Sequence, residues 1–198
     1  MLFRAVQGEV QVKSSMALVY LKKFNISVTD YNPDSLYRWE RPPIMIRAHY
    51  DNYSLSIYNI HTKPDNGSLE LKNLESLIDE ENININNNNS ENKNSNNDRN
   101  IMLSGDLNAD CYYYNPYSKA EFRNWKWVIG DNADTTSQES NCAYDRIIMN
   151  NTISNEYIRS GIDTSNIDLT VSDHYIVWVL IRDHDYKKDK TFQQISIF

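Results

Sequence analysis

Residues 53–80 read YSLSIYNIHTKPDNGSLELKNLESLIDE, and this stretch carries both periodicities that a mixed fold needs. Tyr53, Leu55 and Ile57 alternate with Ser54 and Ser56, so the segment 53–60 is expected to be a strand that sends successive side chains to opposite faces. Leu71, Leu74 and Ile78 then recur at i, i+3 and i+7, the stripe of a helix that packs on a sheet, with Ser68 expected as its cap. Outward from this core, 17–22 and 44–49 read as earlier strands, and 101–104, 127–129, 146–149 and 175–181 as later ones. The pattern is that of a strand-rich α/β domain.

The chain has 198 residues, 20 basic against 27 acidic side chains and a net charge of −7, so a single domain is the default. With 40% hydrophobic residues it can fill a core, and the low mean hydropathy of −0.67 comes from a local excess of asparagine. No window approaches the ~18 uninterrupted apolar residues of a membrane span, so a transmembrane helix and a membrane partner are not expected. Arg4 and the charged stretch 9–13 precede the short apolar run 16–21, which is not a secretory signal. The acidic balance argues against charge-driven nucleic-acid binding, but not against a nuclease that meets phosphate through cations.

Residues 81–100 contain eleven asparagines and too little apolar surface to offset ordering, so they are expected to form a disordered loop within the domain. Loop closure grows only logarithmically with length, which makes the insertion tolerable. The domain is expected over 13–182, with 1–12 unassigned and 183–198 a charged, solvated tail.

The polar residues with chemical potential fall at strand ends. His61 follows one strand, and Asp106 and Asn108 follow another in GDLNAD; Asp145 precedes a strand in NCAYDRI, and Asp173 and His174 precede one in SDHYIVWVL. In an antiparallel or mixed sheet the end of one strand lies beside the start of its neighbour, so these groups could share one rim. Two imidazoles, three carboxylates and an amide suffice for acid–base work around a hard cation. GDLN alone reads equally well as a turn. His49 and His184 read as ordinary histidines, and Tyr112, Tyr113 and Tyr114 as packing or turn surface, since no basic residues interleave with them. Asn-x-Ser/Thr sequons, among them Asn25, Asn52 and Asn66, are what an asparagine-rich chain produces by chance.

In this order the motifs SIYNIHTKPDN, IMLSGDLNADCYYY, WKWVIGDNADTTSQESNCAYDRI and TVSDHYIVWV resemble the deoxyribonuclease I family of the endonuclease/exonuclease/phosphatase superfamily. ERPPIMIR resembles the family's substrate-side stretch, and the likeness runs from about Lys13 to Leu180. It implies an α/β (α+β) sandwich: two packed, mostly antiparallel or mixed sheets flanked by helices. It also implies a DNA endonuclease that uses Mg²⁺ and Ca²⁺ and leaves 5′-phosphate ends.

By the same resemblance His61 and His174 would be the paired catalytic histidines, with Asp145 orienting His174. Asp106 and Asn108 would serve phosphate and metal, Asp173 would be a second metal carboxylate, and Arg41 and Tyr144 would touch the DNA backbone. Asp134 and Thr136 match a structural calcium loop, although Gln138 and Ser140 stand where the family has threonines. Cys111 and Cys142 match its disulfide, worth about 3–4 kcal/mol on the chain-entropy model and implying an oxidising compartment. Two buried free thiols are the other reading of that pair.

The family's first strand with its Asn, its first helix and a strand with a metal-binding Glu lie upstream of the matched region, so the chain is expected to lack them. Ser15 stands where a further Glu would pair with the first histidine, and Glu9 is the nearest carboxylate. These departures keep two other functions in view: a catalytically impaired, nuclease-derived binding protein or fragment, and a related phosphodiesterase. An extracellular or secretory location follows from the family and the disulfide, with the nucleus as the alternative. Actin is a family partner that these residues do not decide.

Overall fold

The computed structural model describes residues 8–13, 16–21, 25–88, 99–115, 119–137, 139–165, 172–182 and 193–197. In chain order the elements are β1 (Gly8–Lys13), β2 (Met16–Leu21), β3 (Asn25–Asp30), β4 (Ile44–Tyr50) and β5 (Tyr53–Asn59). A 3₁₀ turn, Pro64–Asn66, leads into α1 (Gly67–Asn88). There follow β6 (Asn100–Asp106), β7 (Lys126–Trp127), β8 (Asp145–Met149), the short α2 (Asn151–Ser154), β9 (Tyr157–Asp163), β10 (Ile176–Ile181) and β11 (Gln193–Ile197).

Six strands form the main sheet in the order β3-β4-β5-β6-β8-β7, and three form a second sheet in the order β11-β10-β9. β5 and β6 are parallel, joined by α1 as the crossover, whereas the other pairs in the main sheet are antiparallel. Strand alternation builds two apolar layers from the main sheet. Met45, Tyr58, Ile101, Leu103 and Ile148 face Leu71, Leu74, Leu77 and Ile78 of α1. Ile46, Leu55, Ile57, Met102, Ile147 and Met149 face Val177, Val179 and Ile181 of β10. This is the expected sandwich with a helix outside, and each large side chain buried there contributes about 1.5–3 kcal/mol. No helix of the described residues is long and apolar enough to cross a membrane.

The structure corrects several expectations. Residues 81–88 continue α1, and the expected disordered stretch 81–100 is ordered at both ends. Glu81 accepts from the hydroxyls of Tyr31 and Tyr58 and so ties this part of the helix to the sheet. Burial and the bond to Glu81 push both phenols well above their ordinary range. At the far end, Asn100 is buried and donates to Glu156 Oε1 at 3.1 Å. Residues 89–98 lie outside the described ones.

Ser68 does not cap α1: its hydroxyl donates to Glu121 Oε1 at 2.6 Å, and the 3₁₀ turn begins the helix. The unassigned segment 1–12 contributes β1, paired with β2, and the tail 183–198 contributes β11, paired with β10. β3, β9 and α2 are elements that periodicity did not reveal.

Candidate active site

The rim forms where three strand ends meet. Because β5 and β6 are parallel, both finish on the same side, and Ile60 N–H continues the ladder by donating to Ser104 O at 3.1 Å. Thr62 N–H then donates to Asp106 O at 3.0 Å. His61 is thereby set beside Asp106, with Nε2 3.2 Å from Oδ2. The approach is so close that a Cβ on Gly105 would lie 2.1 Å from Ile60 O, and Gly105 has φ +131°, so only glycine fits there.

β8 runs antiparallel to β6, which pairs Asp145 with Asp106. His174 reaches the rim from the second sheet through an isolated bridge to Thr136, with Tyr175 N–H donating to Thr135 O at 2.8 Å. Its Nδ1 lies 2.7 Å from Asp145 Oδ2, and its Nε2 lies 3.9 Å from Asp106 Oδ2 and 3.8 Å from Asp173 Oδ1. Both Nε2 atoms therefore address one carboxylate oxygen.

The electrostatics follow from these distances. The bond to Asp145 raises the His174 pKa against the opposing effect of burial, and the charges of Asp145, Asp106 and Asp173 add to it, giving about 9. Burial opposes ionisation of Asp106. The hydrogen bonds from His61 and from Asn108 N–H, with the two imidazoles nearby, nevertheless hold its carboxyl below the ordinary value. The site thus favours a carboxylate facing an imidazolium.

Asn108 takes a left-handed φ of 45° after GDL, and its N–H donates to Asp106 Oδ1 at 3.0 Å. Its Nδ2 donates to Thr62 O at 2.9 Å, so the amide oxygen is the atom it can offer outward. Arg41, exposed, donates through Nε to His61 O and through Nη2 to Thr62 O, each at 3.0 Å. Tyr144 lies one residue before Asp145, and its ring tilts against Tyr113 with centroids 5.7 Å apart.

Asp106, Asp173 and the amide oxygen of Asn108 are hard donors of the kind Mg²⁺ takes. Among the described residues no group of three or more His, Cys, Asp or Glu side chains is arranged to hold a metal. Such donors suit a hydrated divalent cation and not an all-protein cage. Asp134 and Thr136 form a separate loop: Asp134 Oδ1 accepts from Thr136 N–H at 3.2 Å, and the Thr136 hydroxyl donates to Ser140 O at 3.0 Å. Ser15, Gln138, His184 and the side chain of Glu9 lie outside the described residues, and His49 is exposed on β4.

Cys111 and Cys142 form a disulfide with Cα atoms 5.9 Å apart, which removes the free-thiol reading. The bond joins the segment after Asn108 to the segment before Asp145. Three further residues brace the rim without having been singled out in the sequence. Thr135 is fully buried; its hydroxyl accepts from Asp145 N–H at 3.1 Å and donates to Cys142 O at 3.2 Å. Asp110 accepts from Ala143 N–H at 2.8 Å. Arg146, completely buried, donates to Ile129 O and Ala109 O at 2.9 Å and pairs with Asp131 at 3.1 Å. The only sequence signal was an arginine inside the apolar run of β8, where a buried charge needs partners.

The chain is similar to deoxyribonuclease-1 of Bos taurus, 33% identical over 97 residues that cover 41% of this chain and 34% of that protein. It is 26% identical to deoxyribonuclease-1-like 2 of Mus musculus over 201 residues, covering 89% of this chain and 67% of the relative. It spans about a third of the length of the first curated relatives it matches. No protein-family model matches.

Among solved structures, a mannosyl-6-phosphatase of Bacteroides thetaiotaomicron superposes with a TM-score of 0.54 at 15% identity, over 82% of this chain and 69% of that one. An endonuclease/exonuclease/phosphatase family protein from the same organism gives 0.52 at 15% identity, over 82% and 68%. The fold is therefore that of the endonuclease/exonuclease/phosphatase proteins, and the sequence is similar to the deoxyribonucleases.

Proposed function

We propose that this chain is a metal-dependent endonuclease that hydrolyses phosphodiester bonds in DNA and leaves 5′-phosphate ends. The observation that carries the reading is the convergence of His61 and His174 on Asp106 Oδ2, with His174 held by Asp145. Two imidazoles on either side of an ionised carboxylate allow one to take the proton from an attacking water while the other gives a proton to the leaving 3′ oxygen. Asp145 orients His174 and supports its charged form, the part a carboxylate plays in a catalytic triad.

Asp106, Asn108 and Asp173 would hold Mg²⁺, and Asp134 and Thr136 would hold Ca²⁺. When bound, the magnesium supplies charge neutralisation at the phosphoryl oxygens. Asn108 presents its amide oxygen while Thr62 O fixes its other end. Arg41, anchored through two backbone carbonyls, and Tyr144, backed by Tyr113, would contact the DNA backbone without reading bases. The disulfide supports a secretory route, because such bonds persist in oxidising compartments.

Similarity to the deoxyribonucleases favours DNA over the sugar phosphate named for the Bacteroides neighbour, since a shared fold does not carry a substrate. The test is end-group analysis of nicked plasmid. Ends that a ligase reseals directly support 5′-phosphate products; ends that need a kinase first contradict them. Cleavage that persists in excess chelator contradicts the metal requirement.

A further inference from the structure

Five Asn-x-Ser/Thr sequons begin at Asn25, Asn52, Asn66, Asn88 and Asn150, and the fold treats them unequally. Asn150 is half-buried and its amide is engaged at both ends. Its amide oxygen accepts from the N–H groups of Ile101 and Ile153, each at 3.2 Å, and its Nδ2 donates to Arg99 O at 2.7 Å. A substituent on that nitrogen would crowd the 2.7 Å contact with Arg99, the residue before β6. Asn66 closes the 3₁₀ turn against the rim. The Gly67 after it is wedged with Thr62 Oγ1 and Leu107 O each 3.3 Å from where a Cβ would stand, and the hydroxyl of its Ser68 is bound to Glu121.

Asn52 differs in each respect. It is exposed at the tip of the hairpin joining β4 to β5, where Tyr50 pairs with Tyr53. The tight turn is made by Asp51, which takes the left-handed φ of 50°, and among the described residues no hydrogen bond or ion pair engages the Asn52 amide. The hairpin tip also lies at the opposite end of the strands from the rim, since Ile44 at the start of β4 pairs with Asn59, two residues before His61.

We propose that Asn52 is a glycosylation site whose Nδ2 accepts an oligosaccharide from a lipid-diphosphate carrier. The nitrogen forms a bond to the anomeric carbon as the bond from that carbon to the diphosphate oxygen breaks; one amide proton is lost and the lipid diphosphate leaves. No redox partner is needed. The inference rests on the oxidising, secretory compartment that the Cys111–Cys142 disulfide supports, and it is independent of the hydrolytic chemistry of the rim. Placed at the far end of the sheet, the glycan leaves access to His61 and His174 open.

The test routes the full chain through the secretory pathway of a eukaryotic host with a fused signal peptide, releases glycans with a peptide N-glycosidase in heavy-oxygen water and maps the peptides. The expected result is conversion of Asn52 to a heavy-oxygen aspartate while Asn150 is unchanged. Asn52→Gln and Ser54→Ala should each remove one glycan step on a gel and leave plasmid nicking at the wild-type rate. An unconverted Asn52 in protein recovered from medium or cells overturns the inference, as does conversion of Asn150 without Asn52. Wild-type protein that maps as expected but does not nick would count against the nuclease reading alone.

Discussion

The Asp145 carboxylate lies 2.7 Å from Nδ1 of His174; Asp145 opens β8 of the main sheet, and His174 stands two residues before β10 of the second sheet. That single contact sets the orientation of the imidazole, its charge and the distance of its Nε2 from Asp106. It also ties the strand β8 to the segment leading into β10, so the site closes only when the two sheets are packed.

Asp145→Asn should return the His174 titration from about 9 toward the ordinary 6.5 in metal-free protein, read by NMR of the imidazole protons. A raised folded-state value means that the pair stabilises fully below pH 6.5 and loses its effect as pH rises through about 9. Urea midpoints of the wild type should therefore fall across that window, and those of the variant should fall less. Nicking should drop ~10²–10⁴-fold, the usual range for a general acid–base contribution. An unshifted His174 titration would show that Asp145 does not set its charge.

Gly105→Ala should be poorly tolerated. The left-handed φ costs about 1–3 kcal/mol by itself, and the new Cβ meets backbone at Ile60 O, which cannot swing aside. A urea midpoint equal to wild type would contradict the close approach of β5 and β6 at this position.

Glu81→Ala leaves the hydroxyls of Tyr31 and Tyr58 without their acceptor, at about 1–3 kcal/mol for a buried unsatisfied group. Hydrogen exchange should show protection of amides 81–88 in the wild type and its loss in the variant. Fast exchange there in the wild type would restore the disordered reading of the segment.

Reduction of Cys111–Cys142, or replacement of both by serine, should lower stability by about 3–4 kcal/mol for a separation of 31 residues. The accompanying change should be a weaker rim, because the bond joins the segments that bear Asn108 and Asp145. A thermal midpoint that ignores reductant would contradict this.

The α1 stripe was legible because burial differs around the helix: Leu71, Leu74 and Ile78 face the main sheet while Leu69 and Ile83 are exposed. The strand 53–60 is buried on both faces, and it was legible because Tyr53, Leu55 and Ile57 take one face and the small Ser54 and Ser56 the other. β3 is an edge strand whose residues are mostly exposed, and the alternation in NISVTD rests on only two apolar residues, Ile26 and Val28. β9 contains Gly161, a poor strand former on its own, because the Trp178 ring of β10 crosses where its Cβ would stand, 2.7 Å away. Within the extension of α1 through 81–88, Glu81 meets two tyrosines distant in sequence, a tertiary contact that composition cannot report.

The candidate site was legible as a set of strand-end residues, and the parallel β5–β6 pair with the antiparallel β8 explains why they meet. The braces were not. Thr135, Asp110 and Arg146 act through buried hydrogen bonds to backbone, and nothing in their spacing marks them.

Nicking of supercoiled plasmid in Mg²⁺ and Ca²⁺ reads out whether His61 and His174 act together on one phosphodiester. The wild-type chain should nick, and His61→Ala and His174→Ala should each lower the rate ~10²-fold or more, with the double variant little worse than either. A wild-type rate no higher than that of the two variants, or full activity in either one, would contradict it.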